Sequence, residues 1–253
     1  MIATFAKRAA GAAPHLGSGG RLCALVGMLA ALMLVPACDD GGGSGSVGNP
    51  GDVLSSASTA SKVVALTFDD GPNGASTSAL LDLLQEKQVS ATFFLLGPNV
   101  ASQPDLARRI QSEGHCIGSH GYDHSSLAGL PVAGVETELA SADSALAAAL
   151  GTHPRLFRPP GGQISDNVIQ ACRNQGYTII LWSVAAEDWA TGSSDVIAGR
   201  VLSAVQPGSI ILLHDGAGTN VGANRLPTVA AVRIVIDQLR AQGYAFTTVP
   251  GLF

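Results

Sequence analysis

A parallel β-sheet covered by helices follows from three features of the chain. Strand-like and helix-like segments alternate along most of its length, the strand-like segments are apolar at consecutive positions, and polar residues gather where those segments end. Strands apolar on both faces must be buried on both, which helices in an α/β fold accomplish. An open doubly wound sheet and a closed barrel share this pattern, and the order of elements does not separate them.

The first strand, "VVALTF" from Val63, runs into "DDGP". Next, "STSALLDLLQEKQ" has apolar residues at helical spacing, and "ATFFLLG" is the second strand. "PDLARRIQSEG" predicts a helix stopped by Gly114, "CIGSH" a short strand, and "VAGVETELASADSALAAAL" a long helix closed by Gly151. "RLFRPP" is a strand, "SDNVIQACRNQG" a helix with a capping serine, and "YTIILWSV" a strand. "SSDVIAGRVLSAV" is helical, "SIILLHD" a strand, "TVAAVRIVIDQLRAQG" a helix and "YAFTTV" the last strand.

The 253 residues, 46% of them hydrophobic, suit one domain with a sizeable core, and a net charge of −5 with no basic cluster in that domain argues against nucleic-acid binding. Lys7, Arg8 and Arg21 precede the apolar run "LCALVGMLAALMLV", the order of an export signal. Its end, "LVPACDD", resembles the lipobox of bacterial lipoproteins. The expected arrangement is therefore a signal peptide over 1–37, lipidation at Cys38, a Gly/Ser-rich tether over 38–60 and a folded domain over 61–253. A plain secretory signal or a retained anchor helix is the alternative. The protein is expected to be exported, membrane-anchored and monomeric. Cys116 and Cys172 remain for the domain, either paired or as two buried thiols.

The placement of polar residues points to chemistry. Asp69 and Asp70 end the first strand, His120 the third, and Arg158 the fourth; Asp188 and Trp189 follow the fifth, and His214 and Asp215 end the sixth. In a parallel sheet those ends open on one face, where such folds build their sites. "HGYDH" sets His120 and His124 four apart, and Asp70 completes a set of two imidazoles and one carboxylate seen at open zinc sites. In an unbroken strand Asp69 and Asp70 would point to opposite sides, so they cannot be a facing glycosidase pair. One would bind the metal while the other takes a proton from the attacking water. His214 is the candidate acid, with Asp188 to keep it charged, and Asp215 is expected to point away. Trp189 and Leu213 are candidate walls of a small apolar pocket, with core packing the default for Leu213. His15, His115 and His153 are taken as structural or solvated.

With "TFDDGP", "SHGYDH", "RPPGG", "EDW" and "LLHDG" in that order from Lys62 to the C-terminus, the chain resembles the polysaccharide deacetylases of carbohydrate esterase family 4. The resemblance implies a distorted (β/α) barrel of about seven parallel strands with its site at their C-terminal ends. It also implies metal-dependent removal of acetyl groups from N- or O-acetylated sugars. It casts Asp69 as base, Asp70, His120 and His124 as metal ligands, and Arg158 as the residue that orients the base. Asp188 tunes the acid, His214, and the backbone N–H of Gly161 joins the oxyanion hole. The ligand set suits zinc first, with cobalt, nickel or manganese as alternatives. Three positions depart from the family pattern: Gly121 replaces a hydroxyl residue that steadies the metal loop, Gly161 a tyrosine that walls the groove, and Ala185 an aspartate. The leading expectation is an N-deacetylase of peptidoglycan or a chitin-like glycan. An O-acetyl xylan esterase is the alternative within the family, and a glycan-binding module without catalysis is the alternative outside it.

Overall fold

The computed structural model describes residues 47–253. The expected signal peptide, the expected lipidation site Cys38 and the expected tether up to residue 46 lie outside the described residues. Among the described residues nine strands form one sheet: β1 (Val53–Leu54), β2 (Val63–Gly71), β3 (Thr92–Leu95), β4 (Cys116–Ser119), β5 (Leu156–Phe157), β6 (Thr178–Ile180), β7 (Val184–Ala185), β8 (Ile210–His214) and β9 (Ala245–Thr247). Their order is β1-β6-β5-β4-β3-β2-β8-β7, and β9 pairs with the start of β2. Every pair is parallel. The edge strands β1 and β7 do not pair with each other, so the barrel is distorted and incomplete.

Seven α-helices among the described residues alternate with the strands: α1 (Gly74–Lys87), α2 (Gly97–Ser102), α3 (Pro104–Ser112), α4 (Val132–Leu150), α5 (Asp166–Gln175), α6 (Ser194–Ala204) and α7 (Leu226–Ala241). The expected signals operate: Ser165 accepts a hydrogen bond from Val168 N to start α5, and Gly151 and Gly176 end α4 and α5 in the left-handed conformation. Helix α2 was not expected, because "GPNVAS" reads as a loop; Pro98 sits in the first turn, where no N–H is required.

Side chains along the strands alternate between two cores. Val64, Leu66 and Phe68 of β2, with Ile211 and Leu213 of β8, pack outward against α1 and α7. Ala65 and Ile210 face inward with Phe94, Leu156 and Ile180. Each fully buried leucine or phenylalanine in these layers contributes about 1.5–3 kcal/mol. The alternation places Thr67 and Asp69 inward, beside His214, which is the Cα partner of Asp69.

Three expectations need correction. Ordered structure starts before Ser61: Gly51 N bonds to Tyr177 O, Val53 and Leu54 pair with Ile179 and Ile180, and Ser56 bridges Ser209. A two-residue edge strand is too short to show a period, so composition alone made 47–60 look like tether. The strand "YTIILWSV" is broken in two because the carbonyls of Ile180 and Leu181 accept from Arg158. Finally, Cys116 is disulfide-bonded while Cys172 is a free, buried thiol in a different core cluster, so both readings of that pair fall. Burial pushes the Cys172 pKa up to about 12.

A β-carbon on Gly216 would lie 2.1 Å from the backbone oxygen of Asp70. Gly216→Ala is therefore expected to destabilise the protein by about 1–3 kcal/mol through overpacking. Urea denaturation checks this; an unchanged midpoint would show that the two segments separate freely.

Candidate metal and catalytic site

The site starts from an irregularity in β2. Asp69 pairs with Phe94 and Gly71 with Leu95, which leaves Asp70 as the extra residue of a β-bulge. Asp70 has φ of 72°, a left-handed conformation that aspartate tolerates better than most residues. Asn99 Nδ2 donates to Asp70 O at 2.8 Å, and the backbone N–H groups of Asp215 and Gly216 approach Asp69 O at 3.2 and 3.3 Å. The bulge defeats the strand alternation expected from sequence. Asp69 Oδ2 and Asp70 Oδ1 both face His120 Nε2, at 3.8 and 3.5 Å.

Asp70, His120 and His124 each place a ligand atom within 4.8 Å of the other two. His120 Nδ1 lies 2.8 Å from Arg158 O. A carbonyl can only accept, so Nδ1 carries the proton and Nε2 turns its lone pair toward Asp70. Burial pushes the His120 pKa below its ordinary value, against the pull of Asp69 and Asp70. Asp70 Oδ1, 3.3 Å from His124 Nε2, is buried and has no hydrogen-bond partner among the described residues. Converging lone pairs without a donor are costly, and a divalent cation removes that cost. The three side chains therefore fit a metal ion.

Asp69 is held from the other side. Arg158 is wholly buried; its Nη1 donates to Asp69 Oδ1 at 2.7 Å and to Thr67 Oγ1 at 2.8 Å. Its Nε and Nη2 donate to Ile180 O and Leu181 O, and its guanidinium lies 4.1 Å from the centre of the Phe94 ring. Every arm of the fork is thus fixed, which leaves Asp69 Oδ2 to face the mouth.

Across the β2–β8 pair, His214 Nδ1 donates to Asp188 Oδ1 at 2.8 Å. Asp188 Oδ2 accepts from His214 N and Thr228 Oγ1. Burial alone would lower the His214 pKa, but the Asp188 hydrogen bond and charge, with Asp69 and Asp70 nearby, raise it above the ordinary imidazole value. Burial likewise disfavours the Asp188 carboxylate, yet its bonds to His214 and Thr228 bring its pKa below normal.

The remaining predicted residues divide. Trp189 is 52% exposed with its ring edge-on to His214, 5.1 Å between centroids. Gly161 is exposed at φ 65° after β5, where a β-carbon would meet the Gln163 side chain at 3.7 Å. Leu213 is not a pocket wall: it neighbours His214 on β8, so it points to the opposite face, into the outer core. Asp215 turns away as expected, its carboxylate meeting Thr77 Oγ1, and burial pushes its pKa up to about 7. Ala185 lies in β7, paired with Leu212. The sequence reading missed Thr67, Asn99 and Thr228; a lone threonine or asparagine carries no spacing signal, and only the fold shows what each one bonds.

The polysaccharide deacetylase family profile matches residues 56–180. Over 190 residues the chain is 38% identical to a peptidoglycan-N-acetylglucosamine deacetylase of Bacillus cereus, covering 75% of this chain and 68% of that protein. It is 37% identical over 211 residues to a chitooligosaccharide deacetylase of a Bradyrhizobium species, covering 81% and 94%. Its fold matches the crystal structure of a peptidoglycan N-acetylglucosamine deacetylase bound to an N-hydroxybenzamide with a TM-score of 0.73 at 37% identity, covering 79% and 92%. Identity at this level across most of both chains, on one shared fold, makes this chain a member of the polysaccharide deacetylase family.

Proposed function

We propose that the protein is a metal-dependent deacetylase that hydrolyses the N-acetyl group of N-acetylglucosamine units in peptidoglycan or a chitin-like glycan. The observation that carries this reading is the pairing of Asp69 with His214 across adjacent strands, beside the Asp70, His120 and His124 cluster. A fixed carboxylate and a charged imidazole on opposite sides of one mouth supply the base and the acid that amide hydrolysis needs. The relatives named for peptidoglycan and chitooligosaccharide deacetylation support the substrate class.

Asp69, oriented by Arg158, takes a proton from the water that attacks the acetyl carbonyl carbon. His214 Nε2 gives a proton to the sugar nitrogen as the C–N bond breaks, leaving a free amine and acetate. Its other nitrogen stays bonded to Asp188, which fixes the ring. The Gly161 N–H is the proposed donor to the developing oxyanion, and Trp189 the apolar wall for the methyl group. Asp70, His120 and His124 would hold a divalent ion, zinc first by its donor set with cobalt, nickel or manganese as alternatives, which would polarise the carbonyl and acidify the water. The export signal and "LVPACDD" support placement of the domain at a membrane surface by a lipid on Cys38, as a monomer facing envelope glycan.

Acetate release from peptidoglycan and from chitooligosaccharides tests the reading. Metal-dependent release from either supports it, whereas release only from acetylated xylan would move it to an O-acetyl esterase. Glycan binding with no release from any of them would leave a binding module.

Asp69→Asn is expected to lower kcat roughly 10²- to 10⁴-fold with the metal retained; metal analysis of the purified variant checks the second half, and loss of the ion would reverse the roles of the two aspartates. His124→Ala should weaken zinc binding strongly, measured by competition with a chromophoric chelator. Full zinc retention at dilute protein would exclude His124 as a ligand. Because His214 acts protonated, activity should fall as pH rises through its raised pKa. Asp188→Asn should move that alkaline limb to lower pH in a kcat profile; a limb that stays in place would assign it to another group.

A further inference from the structure

His124 is the most exposed of the three proposed ligands, its side chain 38% accessible against 2% for His120 and 6% for Asp70. It sits on a loop rather than a strand end, and the loop turns twice through left-handed backbone, at Gly121 (φ 84°) and at His124 itself (φ 68°). Such a segment keeps its shape only where neighbours fix it. Gly121 has no side chain to offer, and its conformation favours glycine.

The fixing group comes from another element. Glu138, on α4, brings Oε1 to 2.9 Å from Tyr122 N and 3.2 Å from Asp123 N, so one carboxylate oxygen receives two successive backbone N–H groups between the two histidines. A β-carbon on Gly121 would stand 3.7 Å from that same oxygen, which places Glu138 directly against the glycine. On the opposite side the loop is limited by Gly97, whose N–H donates to Gly121 O and on which a β-carbon would collide with the Tyr122 ring. Hydrogen bonds from backbone N–H to a carboxylate are among the stronger kind, and α4 is a 19-residue helix packed through Val135, Leu139 and Ala142. The brace is therefore anchored to the core.

We infer that Glu138 is a positioning residue for the metal centre, which holds the 120–124 loop in the conformation that presents His124 Nε2 to Asp70 and takes the bracing role for which Gly121 has no side chain. The inference rests on the reading of Asp70, His120 and His124 as metal ligands. Groups that orient a ligand from outside the coordination sphere typically matter by roughly 10- to 100-fold in metal affinity.

The test compares zinc affinity of the full chain with that of Glu138→Ala, Glu138→Gln and His124→Ala, with the apo-protein melting temperature measured in parallel. Glu138→Ala should bind zinc roughly 10- to 100-fold more weakly and release it faster to a chelator. Glu138→Gln, whose amide oxygen can still accept both N–H groups, should recover most of the difference. Activity of Glu138→Ala at saturating zinc should stay near that of the wild type, because Glu138 touches no reacting atom. Zinc affinity of Glu138→Ala within twofold of wild type would overturn the brace, as would a fall in melting temperature with affinity unchanged. If the wild type bound zinc no more tightly than His124→Ala, the metal reading itself would fail and the brace with it.

Discussion

The site depends on one extra residue in one strand. Without the bulge at Asp70, β2 would send its two aspartates to opposite faces, one toward the mouth and one into the helical layer. The left-handed turn at Asp70 brings both carboxylates to His120 while β2 keeps its ladder with β8 up to Asp69 and His214. The surroundings are shaped to this turn: Gly216 leaves room for Asp70 O, Gly71 leaves room for the Asp215 carboxylate, and Asn99 satisfies the carbonyl that the ladder has lost. These groups look unrelated in sequence, yet each one answers to the same distortion.

The electrostatics follow from which partner each carboxylate receives. Asp69 meets a buried guanidinium and Asp188 an imidazole, whereas Asp70 Oδ1 has no hydrogen-bond partner among the described residues. Burying an ion pair such as Arg158 and Asp69 gives little net stability compared with apolar packing, so its use here is orientation. Asp188 with His214 is the counterpart, a pair in which the carboxylate holds the imidazole charged. Two acidic residues with opposite tasks thus sit at the end of β2 and just past β7, on either side of β8, separated by environment and not by residue type.

Much of this was legible in the chain. The boundaries of α4 coincide with the apolar periodicity between Pro131 and Gly151, and the strands announced themselves by β-branched and aromatic runs. Asp69, Asp70, His120, Arg158, Asp188 and His214 were visible because strand ends of a parallel sheet share one face. What stayed hidden was tertiary: β1 is two residues at an edge, α2 begins with Gly and Pro, and the break after β6 exists because Arg158 claims two carbonyls. Leu213 was misplaced as a pocket wall because adjacency to His214 in sequence means opposition across the sheet. The relation of Asp69 to Asp70 was misjudged for the converse reason, since a bulge leaves no mark in composition.

A crystal structure of the zinc-loaded protein, with anomalous data at the zinc edge, tests the central claim most directly. The account predicts one ion bonded at about 2.0–2.2 Å to Asp70 and to Nε2 of His120 and His124, with Asp69 outside the coordination sphere and still bonded to Arg158. An ion held by Asp69 in place of Asp70, or one bound without either histidine, would contradict it.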